Sequence, residues 1–207
     1  MIATAPTRRD DVAYYRELYD SMVVHPSWVP EVTKAADLIG KNKLSYEYVA
    51  KQCPPVPWVL IGLLHFRERG CNFRFQLLNG EAWNMRTVLT PAGYGPWSSW
   101  SDATLFGMKH WKLDQIEGWS IGRVLMETED WNGEGYERLG LNSPYNWRGT
   151  QWAKGVGKFV EVKGKDGKFH GQYDPQMEFK DMQVGCAPVL RKLIDAGLWS
   201  EPQLAAA

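Results

Sequence analysis

The sequence lacks an excess of charge of either sign. Its 207 residues include 24 basic and 24 acidic side chains, for a formal net charge of zero. Proteins that bind nucleic acids usually hold the phosphates with a basic surface. We therefore expect no nucleic-acid partner.

Cysteine is scarce, and the histidines are scattered. Three cysteines, widely spaced and odd in number, do not form a disulfide framework and are typical of a chain made in a reducing compartment. The four histidines form no His-x-x-x-His pair, and the sequence has no Cys-x-x-Cys. These absences predict that the protein binds no metal.

Long hydrophobic runs are also missing. The longest, from Val56 to Phe66, is about half of the ~20 residues that a membrane span needs. The N-terminal segment carries acidic residues and has no continuous apolar stretch, so it is not typical of a secretory signal. We expect a soluble chain made in the cytoplasm, without stable membrane insertion.

The sequence is rich in aromatic residues, with eleven Trp, nine Tyr and seven Phe. Such rings build cores, and they also stack on the apolar faces of sugars. The length suits one domain with a full core. We expect residues 1–207 to form a single domain, monomeric, with residues 1–55 as a helical N-terminal extension packed on it.

Apolar residues at helical spacings predict a mainly α (α+β) fold. The predicted helices cover residues 9–23, 31–39, 45–53, 57–68, 100–111, 120–130 and 181–196. Gly40 is expected to end the second helix and Ser45 to cap the third. The helix at 57–68 is almost continuously apolar, so it is expected at the centre of a helical bundle.

Two segments predict small β-hairpins that line a cleft. Residues 158–173 have alternating side chains on both sides of an Asp-Gly turn. Residues 70–96 lose the helical period and contain several Gly and Pro residues, so we expect a loop with a short hairpin.

Glu68 ends the central apolar helix, PWVLIGLLHFRE. Cleavage of a glycosidic bond requires a proton for the leaving oxygen, and a carboxyl group keeps that proton near neutral pH only where apolar surroundings raise its pKa. Glu68 is therefore a candidate general acid. The alternative is a salt bridge between Glu68 and Arg67 or Arg69 at the end of the helix.

Glu81 is a candidate second carboxylate, thirteen residues after Glu68, with Thr87 six residues further on. Such a pair can hold and activate water opposite the acid, at a carboxyl separation of roughly 6.5–9.5 Å in inverting enzymes. The alternative for Glu81 is a solvated turn residue. Glu129, the other acidic candidate, is beside Asp130 at a helix end, where a solvated side chain is expected.

His65 lies three residues before Glu68 on the same helix face. It can orient the Glu68 carboxyl group through a hydrogen bond, and it is also a candidate substrate-binding residue. The alternative is a histidine buried in the core.

Three motifs resemble the lysozyme-like superfamily, which includes goose-type lysozymes, bacteriophage endolysins and lytic transglycosylases. ERGCNF, residues 68–73, is similar to the end of the catalytic helix, and WNGEGY, residues 131–136, resembles a downstream Tyr-Asn-Ala-Gly segment. The Glu81-x5-Thr87 spacing matches an Asp-x5-Thr element, with Glu in place of Asp and a longer gap after the catalytic Glu. Residues 58–197 as a whole resemble phage and bacterial endolysin-like proteins.

The resemblance implies a peptidoglycan substrate, cleavage between N-acetylmuramic acid and N-acetylglucosamine, and no cofactor. It gives Glu68 the role of catalytic acid and places Asn132 and Tyr136 along the glycan groove. It also implies synthesis in a host bacterial cytoplasm and action on the periplasmic cell wall after holin-dependent release.

Aromatic and amide side chains add four candidate substrate-binding residues, because rings stack on sugars and Asn amides bond to N-acetyl groups. They lie in one irregular region: Tyr145, Asn146, Trp147 and Trp152.

Three functions remain open at this level. The first is a bacteriolytic muramidase, and the second is a lytic transglycosylase that needs Glu68 alone. The third is a non-catalytic module that binds cell-wall glycan, for which the tryptophan content is the evidence.

Overall fold

The computed structural model describes residues 11–89, 91–165, 169–176 and 183–202, and over these ranges the protein is mainly helical, as predicted. The helices in chain order are α1 Val12–Asp20, α2 Val29–Lys41, α3 Lys43–Ala50, α4 Trp58–Arg69, α5 Trp100–His110, α6 Ile121–Asn132, α7 Gly135–Arg138, α8 Pro144–Trp147 and α9 Cys186–Asp195. Short 3-10 turns lie at Pro26–Trp28, Leu113–Gln115 and Gln151–Ala153.

Helix α4 lies at the centre of the bundle. Every residue from Trp58 to Arg67 is buried, and the helix packs against α2, α3, α6 and α9. Its end is set by Gly70, which has a φ of 56° and so adopts the left-handed conformation that glycine tolerates. The amides of Gly70 and Cys71 bond back to the carbonyls of Phe66 and His65. Glu68 is thereby fixed in the last turn of a buried helix.

The first three helices pack on the rest of the chain: α1 on α6, α2 on α9 and α3 on α4. Helices α1 and α6 approach so closely that a Cβ at Gly122 would overlap the Val12 carbonyl. One hydrophobic cluster includes Tyr15, Val32 and Tyr46 from these helices together with α4 and α9 residues. The N-terminal helices therefore contribute to the same core as α4.

One β-hairpin is present in the described ranges. Strand β1, Lys158–Lys163, pairs antiparallel with β2, Phe169–Asp174, in a register that runs from Lys158 opposite Asp174 to Lys163 opposite Phe169. This confirms the predicted strands, while the Asp-Gly turn lies outside the described residues. The hairpin predicted within 70–96 is reduced to one antiparallel bridge, Phe75 with Ala82.

Three predicted helix boundaries are wrong. Gly40 lies inside α2, where an added Cβ would come within 2.9 Å of Leu198, so close packing explains this glycine. Ser45 lies inside α3, which is preceded by Asn42. Helix α9 begins at Cys186, later than the predicted start at residue 181. Residues 183–185 are not helical, and residues 181 and 182 lie outside the described ranges.

Among the described residues, no helix has the length and apolar character needed to cross a membrane.

Candidate active site

Glu68 is partly buried at the end of α4, and its Oε1 accepts a hydrogen bond of 2.9 Å from the Tyr145 hydroxyl. Burial raises the pKa of Glu68, and the Tyr145 hydrogen bond and the charges of Arg67 and Arg69 oppose this effect. The raised pKa favours the protonated carboxyl group. Because Oε1 accepts from Tyr145, Oε2 is the oxygen available to carry the acid proton.

The two arginines beside Glu68 have contacts of their own. The Arg67 guanidinium lies over the Tyr145 ring at 4.7 Å and donates to the carbonyls of Gln183 and Val184. Arg69 lies over the Phe75 ring at 5.2 Å, and its guanidinium fills the space that a Cβ at Gly80 would occupy. The turn that contains Gly80 therefore touches the last turn of α4.

A buried polar network fixes the position of Tyr145. Its neighbour Asn146 is fully buried, and the Asn146 amide oxygen accepts from Thr128 Oγ1 at 2.7 Å. The Asn146 amide nitrogen donates to the Leu125 carbonyl at 2.7 Å and to Glu129 Oε2 at 3.2 Å. These bonds hold α8 against α6 and so fix the phenol that bonds to Glu68.

A cavity of about 300 Å³ adjoins this site. Residues from four segments line it, including Arg67, Asn132, Tyr136, Tyr145, Lys158 and Phe159. Glu68 does not itself line the cavity, but its neighbour Arg67 and its hydrogen-bond partner Tyr145 both do. The volume is at the lower end of the range typical of small-molecule sites, about 300–1,000 Å³.

The structure brings only part of the predicted substrate-binding set to this cavity. Asn132, Tyr136 and Tyr145 line it, with Tyr136 meeting Phe159 of the β-hairpin edge to face at 5.0 Å. Strand β1 therefore forms one wall, as the predicted cleft-lining hairpin requires.

Four of the predicted substrate-binding residues have structural contacts instead. Asn146 and Trp147 are fully buried, because α8 turns them toward the core, and Trp152 donates from its indole to the Leu18 carbonyl of α1. His65 is also fully buried.

The surroundings of His65 are those of a core histidine. Its Nδ1 pairs with the Tyr46 hydroxyl at 3.2 Å, and its ring packs against Phe73 and Trp100 at centroid distances of 4.7 Å. Burial lowers the pKa of His65 to about 4, so the ring is neutral at physiological pH. The predicted hydrogen bond that orients Glu68 comes from Tyr145 instead.

Glu81 organises the loop that follows α4. Its Oε2 accepts from Asn79 Nδ2 at 2.9 Å and from the amides of Val88 and Leu89, both at 3.0 Å. Its Oε1 accepts from the Val88 amide at 3.2 Å. The Glu81 carboxylate thus ties the two sides of the loop together, and it is not simply a solvated turn residue.

Thr87 is buried and closes the next part of the same loop. Its hydroxyl donates to the Pro91 carbonyl and accepts from the Tyr94 amide, each at 3.0 Å. The Thr87 hydroxyl is therefore committed to the backbone of the loop, and a contact between it and a catalytic water has no support here.

Two features of the site were missed by sequence reasoning. The first is the phenol-to-carboxyl bond of Tyr145, a residue predicted only as a sugar-stacking ring. The second is Glu129, which is 4% exposed and bonded to Asn146, so its expected solvated position is wrong. A signal for Glu129 existed, because it shares a helix face with the fully buried Leu125 four residues earlier.

Within the described residues, no group of three or more His, Cys, Asp or Glu side chains is placed to hold a metal ion.

Comparison with known proteins found no matching family model, no similar curated protein and no similar solved structure.

Proposed function

We propose that this protein is a lysozyme-like muramidase that cleaves peptidoglycan between N-acetylmuramic acid and N-acetylglucosamine, with Glu68 as the general acid. The observation that carries the proposal is the raised pKa of a carboxyl group held at the end of a buried helix, beside a cavity lined by aromatic and amide side chains. A carboxyl group of this kind can protonate a leaving oxygen near neutral pH.

The proposed reaction starts with Glu68 protonated on Oε2. The proton passes to the glycosidic oxygen as the bond from that oxygen to the anomeric carbon breaks, and positive charge develops on the sugar. A water molecule then adds its oxygen to the anomeric carbon, and its proton passes to the Glu68 carboxylate, which restores the acid. In this scheme Tyr145 is a positioning residue that stabilises the Glu68 carboxylate left after proton transfer.

Two arrangements around Glu68 support a lysozyme-like architecture for the site. The helix that carries Glu68 in its last turn is the central buried one, and the turn around Gly80 packs on that last turn through Arg69. The β1 strand and the segment from Asn132 to Tyr136 line the cavity. A glycan strand bound in this cavity would therefore have Glu68 next to it.

A second candidate is a lytic transglycosylase, and the contacts of Glu81 favour it. Three hydrogen-bond donors of the loop, Asn79 Nδ2 and the amides of Val88 and Leu89, occupy the Glu81 carboxylate. Of the two predicted catalytic carboxyl groups, this leaves Glu68 for the chemistry. In that reaction a hydroxyl of the cleaved sugar attacks its own anomeric carbon, and its proton passes to Glu68.

The first experiment tests whether Glu68 is catalytic. Purified protein should clear a suspension of outer-membrane-permeabilised cells, and Glu68→Gln should abolish clearing while the melting temperature stays close to that of the wild type. Glu17→Gln, at an exposed position on α1, is the matched control and should clear normally. Undiminished clearing by Glu68→Gln would refute the assignment.

Mass spectrometry of the released muropeptides distinguishes the two reactions. Hydrolysis adds one water to each cleaved bond, whereas the anhydro product of a transglycosylase is lighter by that water. A digest that contains only anhydro products would replace the muramidase proposal with the second candidate.

A further inference from the structure

A second and larger cavity lies beside the one at Glu68. Its volume is about 550 Å³, and residues 132–135 line both cavities. The two spaces therefore adjoin along one segment of the chain, WNGEGY, which resembles a groove-lining motif. The residues that line only the larger cavity have no role in the chemistry described above.

Two indole rings form the apolar part of this second cavity. Trp111 and Trp131 are 5.9 Å apart between ring centroids, with their planes at 55°. Trp111 is 53% exposed, which is unusual for the largest apolar side chain. Because α5 ends at His110, the ring is held just beyond a helix end, next to the cavity.

The polar part of the cavity is mainly acidic. Glu127, itself 8% exposed, is paired with Arg123 at 3.3 Å, and Glu134 is paired with Arg138 at 2.8 Å. Asp130 completes the acidic lining, and Arg138 also lies at the wall. Carboxylate acceptors beside a flat apolar ring suit a pyranose, which has hydroxyl donors around its edge and C–H groups on its faces.

We propose that this cavity is a subsite for an N-acetylglucosamine residue of the glycan strand, beyond the bond cleaved at Glu68, with its apolar face on Trp111. The inference deepens the proposed function and rests on it. The choice of sugar follows from charge. N-acetylglucosamine is neutral, whereas the lactyl group of muramic acid carries a carboxylate or a stem peptide. A wall with three acidic side chains and one arginine, Arg138, is net acidic and disfavours that carboxylate.

Binding of N-acetylglucosamine oligomers of increasing length tests the subsite without requiring catalysis. The affinity of Glu68→Gln protein, measured by calorimetry, should increase from the disaccharide to the hexasaccharide as the second cavity fills. In the double variant Glu68→Gln/Trp111→Ala the affinity for the disaccharide should stay the same, while that for the hexasaccharide should fall by about tenfold. The double variant Glu68→Gln/Tyr48→Ala removes an exposed ring that lines neither cavity and should bind as Glu68→Gln does.

The same length dependence with and without Trp111, or no binding of any oligomer, would overturn the subsite. Equal losses for the disaccharide and hexasaccharide would also overturn it, because they would place Trp111 outside a separate subsite. Failure of the proposed function gives a different result. In that case the wild-type chain would release no glycan fragments from purified sacculi, while the length-dependent role of Trp111 in binding would persist.

Discussion

Replacing Tyr145 with Phe removes one hydroxyl group from the site and leaves the ring in place. The lost bond is 2.9 Å long and joins the phenol to Glu68 Oε1. A hydrogen bond to a charged group contributes about 1.5–3 kcal/mol to stability, and one between neutral groups about 0.5–1.5 kcal/mol. The cost of Tyr145→Phe should therefore depend on whether Glu68 is ionised.

The direction of the pH dependence follows from the pKa of Glu68. Burial raises this pKa above its unfolded value, so Glu68 disfavours the folded state increasingly as the pH rises from the unfolded pKa through the folded one. The Tyr145 bond lowers the pKa and so limits this loss. Without the hydroxyl, the pKa of Glu68 rises further, and the loss of stability becomes larger and extends to higher pH.

Urea unfolding at about pH 4 and about pH 8 measures the effect, because a carboxyl group with a raised pKa is protonated at the lower value. We expect Tyr145→Phe to lower the free energy of unfolding by about 0.5–1.5 kcal/mol at the lower pH, and by about 1.5–3 kcal/mol once Glu68 is ionised. If the protein is a muramidase, the alkaline limb of its pH–activity profile should also move to higher pH, since the acid must be protonated.

Tyr14→Phe is the matched control for this experiment. The Tyr14 hydroxyl donates a bond of the same length, 2.9 Å, to the neutral amide oxygen of Asn142. Its removal should cost about 0.5–1.5 kcal/mol at both pH values. An equal cost of Tyr145→Phe at both pH values would refute the idea that the phenol stabilises an ionised Glu68.

Three further substitutions test the surroundings of the site. Glu81→Ala should speed amide hydrogen exchange at Val88 and Leu89, whose donors lose their carboxylate acceptor, and unchanged exchange would contradict the loop-organising role. Asn146→Ala should lower the free energy of unfolding by about 1–3 kcal/mol in urea titrations, because Thr128 and the Leu125 carbonyl lose a buried partner. Gly122→Ala should lower the free energy of unfolding by about 1–3 kcal/mol, because the added Cβ forces α1 and α6 apart. Gly107→Ala is the control: its added Cβ has its nearest neighbour at 3.9 Å, so the change should be neutral or stabilising by up to about 1 kcal/mol. Equal effects of the two substitutions would contradict the close approach of α1 and α6.

Local signals carried most of the correct predictions about the fold. The apolar run from Trp58 to Phe66 predicted α4, and the alternating residues of 158–163 and 169–173 predicted the hairpin strands. Ser120 was also predicted near the start of a helix, and its side chain caps α6. Each of these features depends on residues a few positions apart, so the pattern is visible in the chain itself.

The failed boundaries depend on contacts between distant residues. Gly40 is typical of a helix end, but in the structure it makes room for Leu198, more than a hundred residues away. Helical periodicity around residue 184 predicted an early start for α9, whereas the described residues before Cys186 approach α8 so closely that a Cβ at Gly185 would overlap the Asn146 carbonyl. Tertiary packing overrides local preference at such positions.

For the candidate site, the sequence by itself determined that one carboxyl group, that of Glu68, would lie at the end of an apolar helix, because that depends only on the order of residues along α4. Only the tertiary structure decided which groups meet it. Tyr145 lies 77 residues away and reaches Glu68 because Asn146 anchors α8 to α6. The same fold turned His65 toward Tyr46 of α3. Hydrogen bonds of this kind depend on how elements that are distant in sequence are placed relative to one another. The local spacing of residues along the chain does not specify that placement.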